Sequence, residues 1–228
     1  MIPVDPHLTE FIVGSGIGTE RYTITPRSPW PSELAALVAF GKHAGVELWL
    51  ESGTYHGQAM SVLLRCMPET LGETIEMFPE IHAIASLRLA GEFGQRVVCH
   101  LGDGRADTLR VVHTHTDKRI GIFLDGPKSL EALDVALQAL RAQWVQFVAL
   151  HDTYQSEPGL AVPTRAALEE FKKYDPTLTC WSTDDPEWVA FARHLDVGVL
   201  DAHAPEDTGK GWPRPYTHYG SGGTEMHM

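Results

Sequence analysis

Cysteine is scarce in this chain: Cys66, Cys99 and Cys180 are three residues in 228, an odd number without a CxxC pair. That excludes a disulfide framework and a zinc knuckle, and it makes a reducing cytoplasm the expected home. Cys66 falls on an expected helix and Cys99 in an expected strand, so both read as small buried hydrophobes. Basic residues are also few. Lys and Arg total 18 against 30 Asp and Glu, a formal charge of −12. A surface of that sign repels phosphate backbones and argues against nucleic acid as a partner; it suits a cationic ligand, or solubility alone. No stretch approaches ~18 uninterrupted apolar residues, and MIPVDPHLTEF lacks the basic start and apolar centre of a signal peptide. Neither a membrane span nor a secretory leader is expected.

What is present suits one α/β domain with short decorations. Residues 1–31 are rich in Gly, Pro and Thr and form an N-terminal extension or lid. GSGIG at 14–18 resembles a phosphate loop, but no βαβ unit frames it. Residues 32–200 carry the domain, and the Pro- and Gly-rich residues 201–228 form a tail. Ser32 is the expected cap of a helix ended by Gly45, with Glu33, Leu34, Leu37 and Phe40 fitting one buried face. Strands and helices then alternate. Strands are expected at 46–51, 73–78, 96–104, 119–126 and 145–152. Helices follow at 58–68, at 79–94 with Ile81, Ile84, Ala85 and Leu89 on one face, at 106–116, 129–143 and 163–175. LTCWST and WVAFARHL read as a closing antiparallel pair. Serial β–α units require right-handed crossovers, so the expected fold is a doubly wound, mostly parallel seven-stranded sheet with helices on both faces.

The strand ends hold the chemistry, because ligands of doubly wound sheets lie outside the carboxyl ends. Strand one runs into ESGTYHG, a tight turn with Gly53 and Gly57 that opens directly into a helix. There the backbone can approach a ligand and the helix N-terminus can face it. Each of the five strands ends near a carboxylate: Glu51, Glu76, Asp103, Asp125 and Asp152. One alone is a common helix cap. Five crowded on one rim repel one another and call for something cationic or rich in hydroxyls.

In this order, ESGTYHG, an acid some 20 positions later, GDG, FLDGPK and LHDT resemble a class I S-adenosylmethionine-dependent methyltransferase. Within that group the chain is most similar to small-molecule O-methyltransferases of the catechol type and of bacterial natural-product and sugar pathways, over roughly residues 32–192. The resemblance implies a Rossmann-like methyltransferase fold and methyl transfer to a hydroxyl of a phenolic or sugar-like acceptor. It places Gly53, Thr54 and Gly57 beside the methionine portion of the cofactor, Glu76 on the ribose hydroxyls and Asp103 near the adenine. Glu51 and Asp125 complete an acid-lined pocket for the sulfonium. Where the family's first turn has a middle glycine, this chain has Tyr55, which narrows the space. The second strand is the weak point: were it IHAIAS, the ribose carboxylate would be missing.

In catechol-type members, acids ending strands four and five bind a divalent cation and a Lys three residues after the first is the base. Asp125, Asp152 and Lys128 match, with Mg²⁺ as an optional cofactor; Thr153 stands where the family's third ligand would be. His151 offers a metal-free base, since an imidazole titrates near pH 6.5. Alternatives stay open for each: a capping role for Asp125 and Asp152, a solvated Lys128, a packed His151. His113 and His115 form an HxH pair without further ligands nearby in sequence. Trp30, Trp181, Trp212 and Tyr216 could stack on an acceptor or simply anchor packing. The competing functional reading is a non-catalytic Rossmann-like module binding a nucleotide or cofactor. Nicotinamide chemistry is disfavoured because the first turn lacks GxGxxG. A small-molecule partner and a homo-oligomer complete the expectations.

Overall fold

Glycine and proline punctuate the chain where its elements begin and end. The computed structural model describes residues 31–126, 129–151, 178–182 and 189–193. The N-terminal extension, Lys128, Asp152, the helix expected at 163–175 and the tail from 201 lie outside the described residues. Helix α1 (Pro31–Ala44) starts at Pro31 itself rather than after a Ser32 cap. Proline suits the first helical position, where its missing N–H is not needed. Gly45, at φ 62°, closes the helix: its N–H reaches Lys42 O at 3.2 Å and Val46 N–H reaches Gly41 O at 2.9 Å, a Schellman closure. Leu34 to Phe40 are all buried, which corrects the expectation of one buried face. LAALVAF has no polar residue to turn toward water.

The remaining elements are β1 (Leu48–Ser52), α2 (Gln58–Cys66), β2 (Leu71–Glu76), α3 (Pro79–Phe93), β3 (Val97–Leu101), α4 (Gly104–Thr114), β4 (Ile120–Leu124), α5 (Ser129–Ala139), β5 (Val145–Leu150), β6 (Leu178–Ser182) and β7 (Val189–Arg193). The sheet order is β3-β2-β1-β4-β5-β7-β6. Strands β1 to β5 are mutually parallel; β7 runs antiparallel to β5 and to β6. The chain steps outward from β1 through β2 to β3, then returns to β4 on the other side of β1. The topological switch therefore lies between β1 and β4, where such sheets open a ligand crevice.

Register divides the sheet into two chemical faces. Glu51 is paired with Thr74 on one side and Phe123 on the other, and Thr74 and Phe123 with Cys99 and Ala149. Side chains alternate between faces along a strand, so these residues share one side. Trp49, Phe123 and Phe147 pack there against α1 and α2, and Leu89 of α3 joins them. The opposite cluster is aliphatic: Leu48, Leu50, Ile75, Ile122, Leu124, Val148 and Leu150 meet Val111 and Val112 of α4 and Ala136 of α5.

Three sequence expectations shift in the β2–β3 region, one of them β3 itself, which covers 97–101 instead of 96–104. Strand β2 covers 71–76 instead of 73–78, and the IHAIAS alternative falls inside α3. Helix α3 buries Ala85 and Leu89, whereas Ile84 is 56% exposed and off the buried face. Among the described residues, strand β3 is at the edge of the sheet. The His82 ring of α3 lies 3.2 Å from the Cys99 carbonyl of β3, and Ser86 bonds the same nitrogen. Cys66 and Cys99 are free thiols, half-buried against the first cluster, and burial raises the pKa of both. Among the described residues no helix is long and apolar enough to cross a membrane.

Candidate cofactor and active site

The turn from Gly53 to Gly57 is built where a side chain would not fit. Gly53 has φ 90°, and a Cβ there would lie 2.5 Å from the Gly126 nitrogen. Gly57, at φ 73°, caps α2, and its absent Cβ would meet Leu89 at 2.8 Å. Tyr55 lies between them at φ 46° despite its side chain. A left-handed non-glycine residue costs about 1–2 kcal/mol, so neighbours must hold it. They do. Ile75 O accepts from the N–H groups of Gly53 (2.9 Å) and Thr54 (3.1 Å), and Thr54 O from Gly57 at 2.7 Å. Glu76 Oε2 accepts from Tyr55 N–H at 2.8 Å. Arg88 of α3 donates to the His56 carbonyl, and the rings of Tyr55 and His56 stack at 4.0 Å.

The acids on the rim have different situations. Glu51 is only 2% exposed, beneath the turn rather than on its surface. Burial raises its pKa to about 8, and the negative fields of Asp125 and Glu76 add to that. Thr74 Oγ1 donates to Glu51 Oε2 at 2.7 Å and is itself hydrogen-bonded to Thr54 Oγ1, so Glu51 reaches the turn through two hydroxyls. Glu76 is buried at the end of β2 and receives Phe78 N–H on Oε1 at 3.0 Å as well as Tyr55 N–H on Oε2. Each oxygen keeps a second lone pair. Asp103 is exposed and caps α4, accepting Arg105 N–H at 2.7 Å. The Arg105 side chain, bonded to it, holds its carboxyl below the usual range.

Strands β4 and β5 bring Asp125 and His151 together. His151 Nδ1 lies 2.9 Å from Asp125 Oδ1, the imidazole is 5% exposed, and its ring meets Phe123 edge-on at 5.9 Å. With Nδ1–H donated to the carboxylate, a neutral imidazole presents Nε2 as its acceptor. Each residue lies two positions beyond a partner on the face of Glu51, so one face carries Glu51, Thr74, Glu76, Asp125 and His151. The other candidates of that pair, Lys128 and Asp152, are outside the described residues. Among the described residues no three His, Cys, Asp or Glu converge to hold a metal ion. The HxH pair diverges: His113 faces Trp144 edge-on, and His115 bonds Glu73, which also bonds His100 at 2.6 Å.

Sequence reasoning passed over Thr74, Arg88, Met77 and Phe78. Thr74 had a signal, its register opposite Glu51, readable only once β2 is placed. Met77 and Phe78 follow Glu76 directly and leave large apolar side chains exposed at the rim, beside exposed Leu101. Arg88 carries no local signal, because its partner is 32 residues away.

Comparison with known proteins bears on the fold. No protein-family model matches the sequence, and no curated protein matches it. Solved structures do. The O-methyltransferase TomG from Streptomyces achromogenes, involved in tomaymycin synthesis and seen with SAM, superposes with a TM-score of 0.57 at 16% identity, over 86% of this chain and 92% of that one. An O-methyltransferase from Bacillus cereus in complex with SAH gives 0.56 at 15%, over 85% and 93%. The SAH-bound Podospora anserina methyltransferase PaMTH1 gives 0.53 at 15%, over 83% and 87%. The chain thus has the Rossmann-like α/β fold of S-adenosylmethionine-dependent methyltransferases.

Proposed function

We propose that this protein is an enzyme transferring the methyl group of S-adenosylmethionine to a hydroxyl of a small phenolic or sugar-like acceptor. The observation that carries the reading is the seat of Glu76. Its carboxylate ends β2 against the glycine turn, oriented by two backbone N–H groups, with a lone pair on each oxygen for the two hydroxyls of a ribose. The glycine cradle beside it would be filled by a Cβ at either end, and exposed Met77 and Phe78 offer an apolar wall for a flat purine. Gly53, Thr54 and Gly57 are proposed beside the methionine portion, with Asp103 at the adenine edge. The methyltransferase fold favours this over a non-catalytic binding module.

The cofactor, held beside Gly53, Thr54, Gly57 and Glu76, would supply a methyl carbon activated by its sulfonium leaving group. The chain's own residues must align the acceptor hydroxyl in line with the sulfur–methyl bond and take up its proton. His151, oriented by Asp125, and Lys128 are the proposed proton acceptors. Glu51 acts from beneath, through Thr74 and Thr54, to fix the turn. Mg²⁺ on Asp125 and Asp152 finds one of its two carboxylates among the described residues, with one oxygen already bonded to His151. Asp152 lies outside the described residues, and Mg²⁺ held there with Asp125 stays a proposal in which the ion would acidify a chelated hydroxyl. Calorimetric titration with S-adenosylhomocysteine (SAH), followed by turnover of labelled S-adenosylmethionine on a panel of phenols and sugars, tests the reading. Saturable one-to-one binding and a methylated product are expected; absence of binding rejects it.

A further inference from the structure

We propose that Arg88, on helix α3 and outside the rim, is a positioning residue that sets cofactor affinity by locking the peptide between His56 and Gly57. This rests on the reading given under Proposed function. The peptide precedes α2, whose cap, Gly57, is in the left-handed region and contributes no side-chain bond to the first turn. Glycine crosses easily between backbone wells, so the plane of that peptide is weakly fixed by local preference. If it rotated, Gly57 N–H would leave Thr54 O, a 2.7 Å bond that closes the turn. The same peptide leads into α2, whose N-terminus follows the carboxyl end of β1, where a helix suits an anionic group such as a carboxylate.

A guanidinium on the His56 carbonyl prevents that rotation. Arg88 Nη1 donates to His56 O across 32 residues of sequence. The donor is charged and part-buried, which makes the bond stronger than a neutral one. Its neighbour Leu89 packs where a Gly57 side chain would be, so α3 fixes both sides of the same peptide. Helix α3 is itself tied to α2: Glu92 accepts from Ser61 at 3.0 Å and from Arg65. The segment thus braces the turn as one unit from behind. The portion of the cofactor that would register a loosened turn is the methionine end, while Glu76 continues to hold the ribose.

The test titrates the full chain calorimetrically with SAH and, separately, with adenosine, which lacks the amino-acid end. Arg88→Met is expected to weaken SAH at least tenfold and leave adenosine affinity within twofold in a variant that still unfolds cooperatively. Arg88→Lys, which keeps a cationic donor, should recover most of the SAH affinity. Unchanged SAH affinity in folded Arg88→Met overturns the proposal, as does equal weakening of SAH and adenosine, or a folded Lys variant no better than Met. If Arg88→Met does not fold, Arg88→Gln is read by the same two ligands and the same criteria. Failure of the wild type to bind SAH is a different result: it rejects the cofactor reading itself.

Discussion

The two faces of the sheet are made from the same five parallel strands yet carry different chemistry. Toward α4 and α5, the central side chains of β1, β2, β4 and β5 form an aliphatic cluster. Toward α1 and α2, strands β1, β4 and β5 carry Trp49, Phe123 and Phe147, and together with β2 they lead to Glu51, Thr74, Glu76, Asp125 and His151. Alternation along a strand lets one backbone serve both tasks, because consecutive residues never compete for the same face. One side is aliphatic around a single buried acid, Glu73, whereas the other joins an aromatic core to the polar residues proposed for ligand binding. A buried Glu51 is tolerated because burial favours its neutral form and Thr74 bonds its carboxyl.

The largest effect that can break this division is a crossed pair of substitutions. Leu50→Ala, within the aliphatic cluster, should cost about 2–5 kcal/mol in chemical unfolding and leave SAH affinity near that of the wild type. Glu76→Gln should do the reverse, weakening SAH roughly tenfold to a hundredfold, as expected when charge-assisted bonds to hydroxyls are lost, with a smaller change in stability. If both variants lose stability and binding in equal proportion, the faces are not separable.

A second, intermediate effect concerns Glu51. Its folded pKa of about 8 stands above the ordinary 4.5. Below 4.5 the group is protonated both folded and unfolded and costs nothing. Between 4.5 and 8 the unfolded chain ionises while the fold keeps the proton, so stability falls as pH rises, by up to about 1.4 kcal/mol per unit, and levels off above the folded pKa. Glu51→Gln should remove that component. Urea unfolding at pH 5, 7 and 8.5 should show the variant losing less stability than the wild type; identical slopes would mean that Glu51 is ionised in the fold.

The smallest effect sharpens the comparison at its margin. Asp103 is exposed and capping, so Asp103→Ala should cost about 0.5–2 kcal/mol of stability, and SAH should bind a few-fold more weakly. A loss of binding as large as that of Glu76→Gln would move Asp103 from the edge of the site to its centre.

Much of this was legible in the sequence, for identifiable reasons. The β–α alternation, Gly45 as a helix stop and the Gly53–Gly57 turn are local signals, and each is found where the residues put it. Glu76 could be placed only as well as β2, whose six residues LGETIE are half polar and give weak periodicity; pairing with β1 and β3 settles its bounds. Ile84 was misplaced because its helix carries apolar residues beyond its buried stripe. The Glu51–Thr74–Thr54 chain and the Arg88 contact join residues 20 or more positions apart, and no window of sequence displays them. Two expected site residues, Lys128 and Asp152, remain proposals on sequence grounds.

The His82 ring against the Cys99 carbonyl has a consequence at the flank that β3 forms among the described residues. A parallel edge strand exposes outward-facing carbonyls that a strand from another molecule could adopt as a template, and Val98 and Leu101 would reward such an encounter. By occupying one of those acceptors from within, the imidazole interrupts the ladder that an incoming strand would need. Helix α3 thereby engages one backbone acceptor of the strand that ends the sheet among the described residues.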